Sequence, residues 1–317
     1  MDKEIITNSS LSTFRTCPRK YQIQYELGYR PAKEAEALFI GKLMHKGIEA
    51  WSTSRDLEEA VNAIYKMVDE SKNQDEYMVA KVHALMEGYH RKYLDQPYTV
   101  VLVEAEGRGP LINPDTNRES QSFEIGFVID RIFQDKNSRY VLVETKTTSS
   151  DIEDPASDYW MNLLMDSQVS TYYLGAEVLG YPVDRCIYDV IKKPGIRPKQ
   201  VGKEIDPANP KRIETSEEYF ERLRKDISEA PDKFYMRREV PRLKNDLEEY
   251  MADTWITAGM LREARKINKF PRFVRSCIGL YGTCAYFPVC SGRASLDDPM
   301  LYKKSEKKHS ELQEVKK

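Results

Sequence analysis

The sequence predicts an α/β fold, a central mixed sheet flanked by helices, and three observations carry that reading. Residues 10–94 repeat apolar side chains at helical spacing, residues 98–148 change to three β-type segments divided by turns, and a helix and a fourth strand follow by residue 193. The order strand, strand, strand, helix, strand places a crossover helix before the last strand.

In the first part, Leu57, Val61, Ile64 and Val68 form one helical stripe, and Val82, Leu85, Met86, Tyr89 and Tyr93 form another. The β-type segments are YTVVLVEAEG (98–107), SFEIGFVIDRIF (122–133) and RYVLVETKTT (139–148), separated by the turn-rich PDTNRES and QDKNS. SQVSTYYLGAEVLG (167–180) reads as a helix, and CIYDVIKK (186–193), after a turn at Tyr181-Pro182, reads as the fourth strand. Thr215 with Glu218 is a capping box ahead of Tyr219, Leu223 and Ile227. Leu247, Tyr250, Met251, Trp255, Ala258 and Leu261 mark a later helix. Residues 1–300 are expected to form one domain, and the charged residues 301–317 a disordered tail.

Composition narrows the class. With 317 residues, 40% of them hydrophobic, and 51 Asp and Glu against 49 Lys and Arg, the chain can bury a core, and a disordered polymer is excluded. The net charge of −2 decides nothing about nucleic acid, because a basic groove can be balanced by acidic helices elsewhere. No apolar run approaches the roughly 18 residues of a membrane span, and MDKEIITNSS lacks the apolar segment of a signal peptide. A cytoplasmic protein without a membrane partner is therefore expected. In a reducing compartment, clustered cysteines point to metal or catalysis rather than disulfides.

In YVLVETKTT, strand alternation puts Leu142, Glu144 and Lys146 on one face. If QDKNS closes an antiparallel hairpin centred near Asn137, Asp130 falls opposite Glu144. Two facing carboxylates repel unless a cation lies between them. Hard oxygen donors favour Mg²⁺ or Mn²⁺; the alternative is a solvated strand face with an ordinary ion pair. In GKLMHKGIEAW, Gly41, His45, Ile48 and Glu49 share one side of a helix, so His45 is either a further ligand or a half-buried packing residue. Gln168 and Tyr172, four apart, share a helix face and can hydrogen-bond a phosphate or a base.

Taken in order, GKLMHKGIE, GFVIDRI, VLVETK and QVSTY resemble the RecB-like branch of the PD-(D/E)XK nuclease superfamily. The resemblance extends to SLSTFRTCPRKYQIQY and CIGLYGTCAYFPVC, which are similar to the two cysteine segments of its iron–sulphur members: AddB-type helicase–nucleases, CRISPR-adaptation nucleases and phage exonucleases. It implies a restriction-endonuclease-like core with helical N- and C-terminal segments joined by a metal cluster. It implies a [4Fe-4S] cluster on Cys17, Cys277, Cys284 and Cys290, with Zn²⁺ as the chemical alternative. It also implies Mg²⁺ or Mn²⁺ on His45, Asp130, Glu144 and the Thr145 carbonyl, with Lys146 acting in catalysis and Gln168 and Tyr172 positioning DNA. Six residues separate Cys277 from Cys284, where the family often has two, and Ile129 stands where the superfamily's name has Pro. Cys186 falls outside the set and is expected to be a small buried hydrophobe.

The expected activity is a DNA exonuclease on single-stranded or frayed ends in phage or bacterial recombination, repair or replication. The alternative of a different class is a DNA-end-binding or adaptor subunit of a larger complex. No G-x4-GK-[ST] loop occurs, so unwinding would need a helicase, single-strand-binding or recombination protein as partner. Basic residues at Arg262, Arg265, Lys266, Lys269, Arg272 and Arg275, interleaved with Phe270 and Phe273, suit phosphate contact and stacking, as do Lys192, Lys193, Arg197 and Lys199.

Overall fold

Local signals in the sequence set most of the element boundaries. A computed structural model of the chain describes residues 3–71, 75–202, 211–279, 282–310 and 312. Strand β1 (Glu4–Thr7) leads into helices α1 (Asn8–Thr16) and α2 (Pro18–Tyr21), then strand β2 (Tyr29–Pro31). The Thr7 and Ser10 side chains cap α1 reciprocally, and Pro18 opens α2 where its missing N–H costs nothing. Helices α3 (Glu36–Ser54), α4 (Leu57–Ser71) and α5 (Glu76–Tyr93) follow, with the expected stripes buried.

Strands β3 (Thr99–Ile112), β4 (Glu119–Gln134) and β5 (Tyr140–Thr148) form the meander. After helices α6 (Asp158–Leu164) and α7 (Ser167–Val178) comes β6 (Val183–Lys192), then a small hairpin of β7 (Gln200–Val201) and β8 (Arg212–Ile213). Helix α8 (Ser216–Glu229) carries the Thr215–Glu218 capping box, and β9 (Tyr235–Glu239) and α9 (Lys244–Lys266) complete the core. Beyond them lie β10 (Ile278–Gly279), β11 (Gly282–Thr283), α10 (Phe287–Cys290) and β12 (Tyr302–Lys304).

The main sheet is mixed, ordered β1-β4-β5-β6-β9, with β3 also paired to β4. Arg131 pairs with Val143 and Ile132 with Leu142 across β4 and β5, the register a hairpin centred on Asn137 requires. Helix α7 makes the crossover that lets β5 and β6 run parallel. Three apolar clusters hold the helices in place. One packs α3, α4, α5 and α8 against Ile191 and Tyr235 of the sheet. Another packs α6 and α7 onto Ile132, Leu142, Cys186 and Tyr188, so the fully buried Cys186 is the small core residue expected. The third joins β1, α1 and α9 through Ile6, Leu11, Phe14 and Leu261. Among the described residues, no helix is long and apolar enough to cross a membrane.

The tail departs from expectation. Tyr302–Lys304 pair antiparallel with Tyr29–Pro31, Lys308 is ion-paired with Glu4, and Leu312 is buried beside Gly126. The disordered reading of 301–317 is thus corrected over its first part: Tyr302 and Leu312 anchor it, and the surrounding charge hides them in a composition count. Residues 311 and 313–317 lie outside the described residues.

Candidate active site

The site forms at a break in the β4 ladders, with the β3–β4 register the same on either side of it. Neither ladder pairs Asp130: the β3 pairing passes from Arg131 to Ile129, and the β5 pairing stops at Arg131. On β3 the residue facing this gap, Glu104, has φ of +46°, a left-handed conformation that a non-glycine side chain adopts only when its surroundings impose it. Helix α3 approaches from the side. A Cβ on Gly41 would lie 3.2 Å from Thr147 Oγ1, so glycine permits the close crossing, and one turn later His45 Nδ1 sits 3.6 Å from Asp130 Oδ2. His45, Glu104 and Asp130 each present a ligand atom within 4.8 Å of the others. Asp130 Oδ2 also accepts the Thr145 N–H at 2.8 Å, which fixes its rotamer.

Beside this triad, Glu144 and Lys146 share a strand face. Lys146 Nζ is 2.9 Å from Glu144 Oε1 and 3.8 Å from Asp166 Oδ2, and donates to Gln168 Oε1. Gln168 Nε2 in turn donates to the Tyr172 hydroxyl at 2.5 Å. Asp166 caps α7 by accepting the Gln168 N–H, and its other oxygen accepts from Tyr188 at 2.9 Å. The start of α7 is thereby locked to the lysine.

Charge is badly balanced here. Glu144 is 2% exposed, and its Oε2 has no hydrogen-bond partner among the described residues, a costly state for a buried carboxylate. Burial, and then Asp130, push the Glu144 carboxyl up to about 8. Burial, Asp130 and Glu49 likewise push Glu104 up to about 8. For Lys146, burial opposes the charge, but Glu144 and Asp166 outweigh it and keep the ammonium form. An imidazole and several hard carboxylate oxygens that resist ionisation together fit a divalent cation such as Mg²⁺ or Mn²⁺, which would satisfy the orphaned oxygen and favour the ionised acids.

Behind the same strands the balance is reversed. Arg131 and Asp189, both buried, meet at 2.8 Å, and Arg237 joins Asp189 at 2.9 Å. Tyr89 donates to Asp189 at 2.5 Å, and Arg131 reaches Thr145 Oγ1 at 2.7 Å. Burial would raise the Asp189 carboxyl, but Arg237 and Arg131 hold it down at about 2.

The structure brings His45 to Asp130, Glu144 to Lys146, and Lys146, Gln168 and Tyr172 into one chain of contacts. It does not place Glu144 in the close triad, where Glu104 stands instead. Glu104 was missed by sequence reasoning, and its only signal was a carboxylate interrupting the apolar alternation of VVLVEAEG. Of Thr145, the N–H holds Asp130 and the hydroxyl holds Arg131.

Two other expectations change. Arg265 is spent on Glu4, Glu26 and Tyr21, and Phe270 is buried against Tyr21, so this part of the basic stretch packs the N-terminal segment against α9 rather than facing solvent. Lys192 pairs with Asp151 at 3.2 Å. The five cysteines are free thiols. Cys284 N–H donates to the Cys277 carbonyl at 2.8 Å, while burial, then Cys17 and Cys284, raise the Cys290 thiol. Among the described residues no three thiols lie within 4.8 Å of one another.

A family profile for the PD-(D/E)XK nuclease superfamily matches residues 6–291. The chain belongs to the PD-(D/E)XK nuclease superfamily. Nucleases of this superfamily use divalent metals, in keeping with the donor set around Asp130. No curated relative matches the chain. A solved structure titled "Crystal structure of SSO0001" is similar at 15% identity and a TM-score of 0.35, over 93% of this chain and 89% of that one. A likeness at that level says nothing further about this PD-(D/E)XK chain.

Proposed function

We propose that the chain is a Mg²⁺- or Mn²⁺-dependent DNA exonuclease acting on single-stranded or frayed ends, in the cytoplasm, in phage or bacterial recombination, repair or replication. The observation that carries the reading is the buried, unpartnered Glu144 Oε2 beside Asp130, with Lys146 on the same strand face. His45, Glu104, Asp130 and Glu144 would hold the ion, and the Thr145 carbonyl is a further candidate. A bound divalent ion supplies an acidified water and polarisation of the phosphate.

The chain's own groups do the rest. Lys146 keeps its proton, orients the attacking water and offsets charge growing on the phosphate oxygens. Gln168, held by Tyr172, fixes the position of the ammonium and offers its amide to the DNA backbone. Asp166 prevents the start of α7 from drifting away.

The cysteines are read as a second metal site. The resemblance of the two cysteine segments points to a [4Fe-4S] cluster on Cys17, Cys277, Cys284 and Cys290, with Zn²⁺ as the chemical alternative. Any unwinding falls to a helicase, single-strand-binding or recombination protein.

The test is a time course on end-labelled single-stranded and duplex DNA, with anaerobically purified protein in Mg²⁺, Mn²⁺ or EDTA, beside Lys146→Ala. Stepwise, metal-dependent shortening that Lys146→Ala abolishes supports the exonuclease. Binding without cleavage in every condition moves the assignment to an end-binding adaptor.

A further inference from the structure

A cavity of about 190 Å³ lies against Cys290, lined by Arg19 and Gln22 from one end of the chain and Arg272 from the other, over apolar Ile23 and Leu27. Each arginine is steered by one main-chain bond: Arg19 Nε donates to the Phe270 carbonyl at 3.1 Å, and Arg272 donates to the Cys290 carbonyl at 2.8 Å. Neither has a carboxylate partner among the described residues, unlike Arg265 nearby, which is neutralised by Glu4 and Glu26. Two guanidinium groups lining one small cavity, with most of their donors unspent, are the chemistry that binds a tetrahedral oxyanion. The space is below the ~300–1,000 Å³ of pockets that enclose whole ligands, so it suits a single phosphate rather than a nucleotide.

We infer that Arg19 and Arg272 form a phosphate-binding pocket that takes a phosphate of the substrate DNA strand, away from the carboxylate site. This rests on the proposed DNA substrate. Because the pocket draws on both ends of the chain, whatever joins Cys17 to Cys290 also sets the distance between its two arginines. A metal group on these cysteines would thereby also have a role in holding substrate.

The experiment measures binding of a 3′-labelled oligonucleotide, with either a 5′-phosphate or a 5′-hydroxyl, in Ca²⁺ over a salt series, for wild type, Arg272→Gln, Arg272→Lys and Arg19→Gln. Arg272 is exposed, so its variants test the pocket without touching the core. Arg272→Gln should weaken binding about tenfold and lower the salt slope by about 0.7, and Arg272→Lys should restore most of the slope. Loss only with the 5′-phosphorylated strand assigns the pocket to a terminal phosphate; equal loss with both assigns it to an internal diester. Unchanged affinity and slope in Arg272→Gln overturn the pocket. So does an Arg19→Gln protein that loses bound iron or zinc yet keeps the wild-type slope. Mg²⁺-dependent cleavage with no arginine effect leaves the nuclease reading standing without the pocket. An arginine-dependent slope without cleavage does the reverse.

Discussion

The two faces of β4 and β5 handle charge in opposite ways. On one face, Glu49, Glu104, Asp130, Glu144 and Asp166 gather around two ammonium groups among the described residues, Lys46 and Lys146. On the other, one carboxylate, Asp189, is held between two guanidinium groups, Arg131 and Arg237. Neighbouring residues feed the two sets: Asp130 and Arg131 on β4, Glu144 and Thr145 on β5. The buried cations even reach across, since Arg131 lowers the Glu104 carboxyl against the larger push from burial and Asp130. The contrast is one of charge: the rear carboxylate is flanked by two guanidinium groups, although Asp189 Oδ1 and the Nε atoms of Arg131 and Arg237 have no hydrogen-bond partner among the described residues, whereas the front carboxylates outnumber their cations, an excess that the proposed divalent ion would offset.

The sharpest way to break this comparison is to remove one acid from each face. Asp130→Ala should reduce Mg²⁺-dependent cleavage by about a thousandfold or more. Its thermal midpoint should stay level or rise, because Glu104 and Glu144 lose a repelling neighbour. A variant that cleaves normally would sink the front face as a metal site. Asp189→Asn should do the converse, lowering stability by about 3–5 kcal/mol in urea unfolding, since two buried guanidinium groups lose their counter-charge. An unchanged midpoint would mean that the rear cluster is not structural.

A third prediction uses pH. Glu104 and Glu144 both have carboxyls raised to about 8, so between the ordinary carboxylate range and that value the folded protein holds more protons than the unfolded chain. In the metal-free protein the stabilisation contributed by these two groups should therefore be fully present below the ordinary carboxylate pKa and be lost as pH rises through about 8. Mg²⁺ should offset the fall at the alkaline end, where the acids ionise most readily. Thermal melts of wild type and Glu144→Gln across this window, with and without Mg²⁺, check it; the variant should give the flatter curve.

The smallest effect sharpens the outline of the front face. Glu104→Gln should raise the Mg²⁺ concentration for half-maximal cleavage roughly tenfold, the scale of losing a group that supports metal ligands. Saturating rates should change less. A metal titration of cleavage distinguishes this from a purely structural β3 residue, for which the midpoint would not move.

Several features could be read directly from the chain. The alternation in YVLVETKTT and the short QDKNS connection are local, and together they placed Asp130 opposite Glu144; the observed pairing of Arg131 with Val143 keeps that register. The Gln168–Tyr172 contact is four residues long and also local. Glu104 is different. Its carboxylate joins the site through a left-handed backbone at a gap between two strands, and no periodicity marks such a residue.

What the sequence determined by itself was the strand meander with its crossover helix and fourth strand, the β4–β5 register and the ordered motifs that place the chain among PD-(D/E)XK nucleases, because each depends on residues close together in the chain; the sheet strands β1 and β9 carried no such local signal. Only the tertiary structure decided which charges are spent and which are left unpaired. Arg265 is consumed by Glu4, 261 residues away, while Arg272, a few residues further on, is tied among the described residues to a main-chain carbonyl alone. The physical reason is that a side chain's chemistry follows from its neighbours' charge and access to water, and folding brings those neighbours from anywhere in the chain.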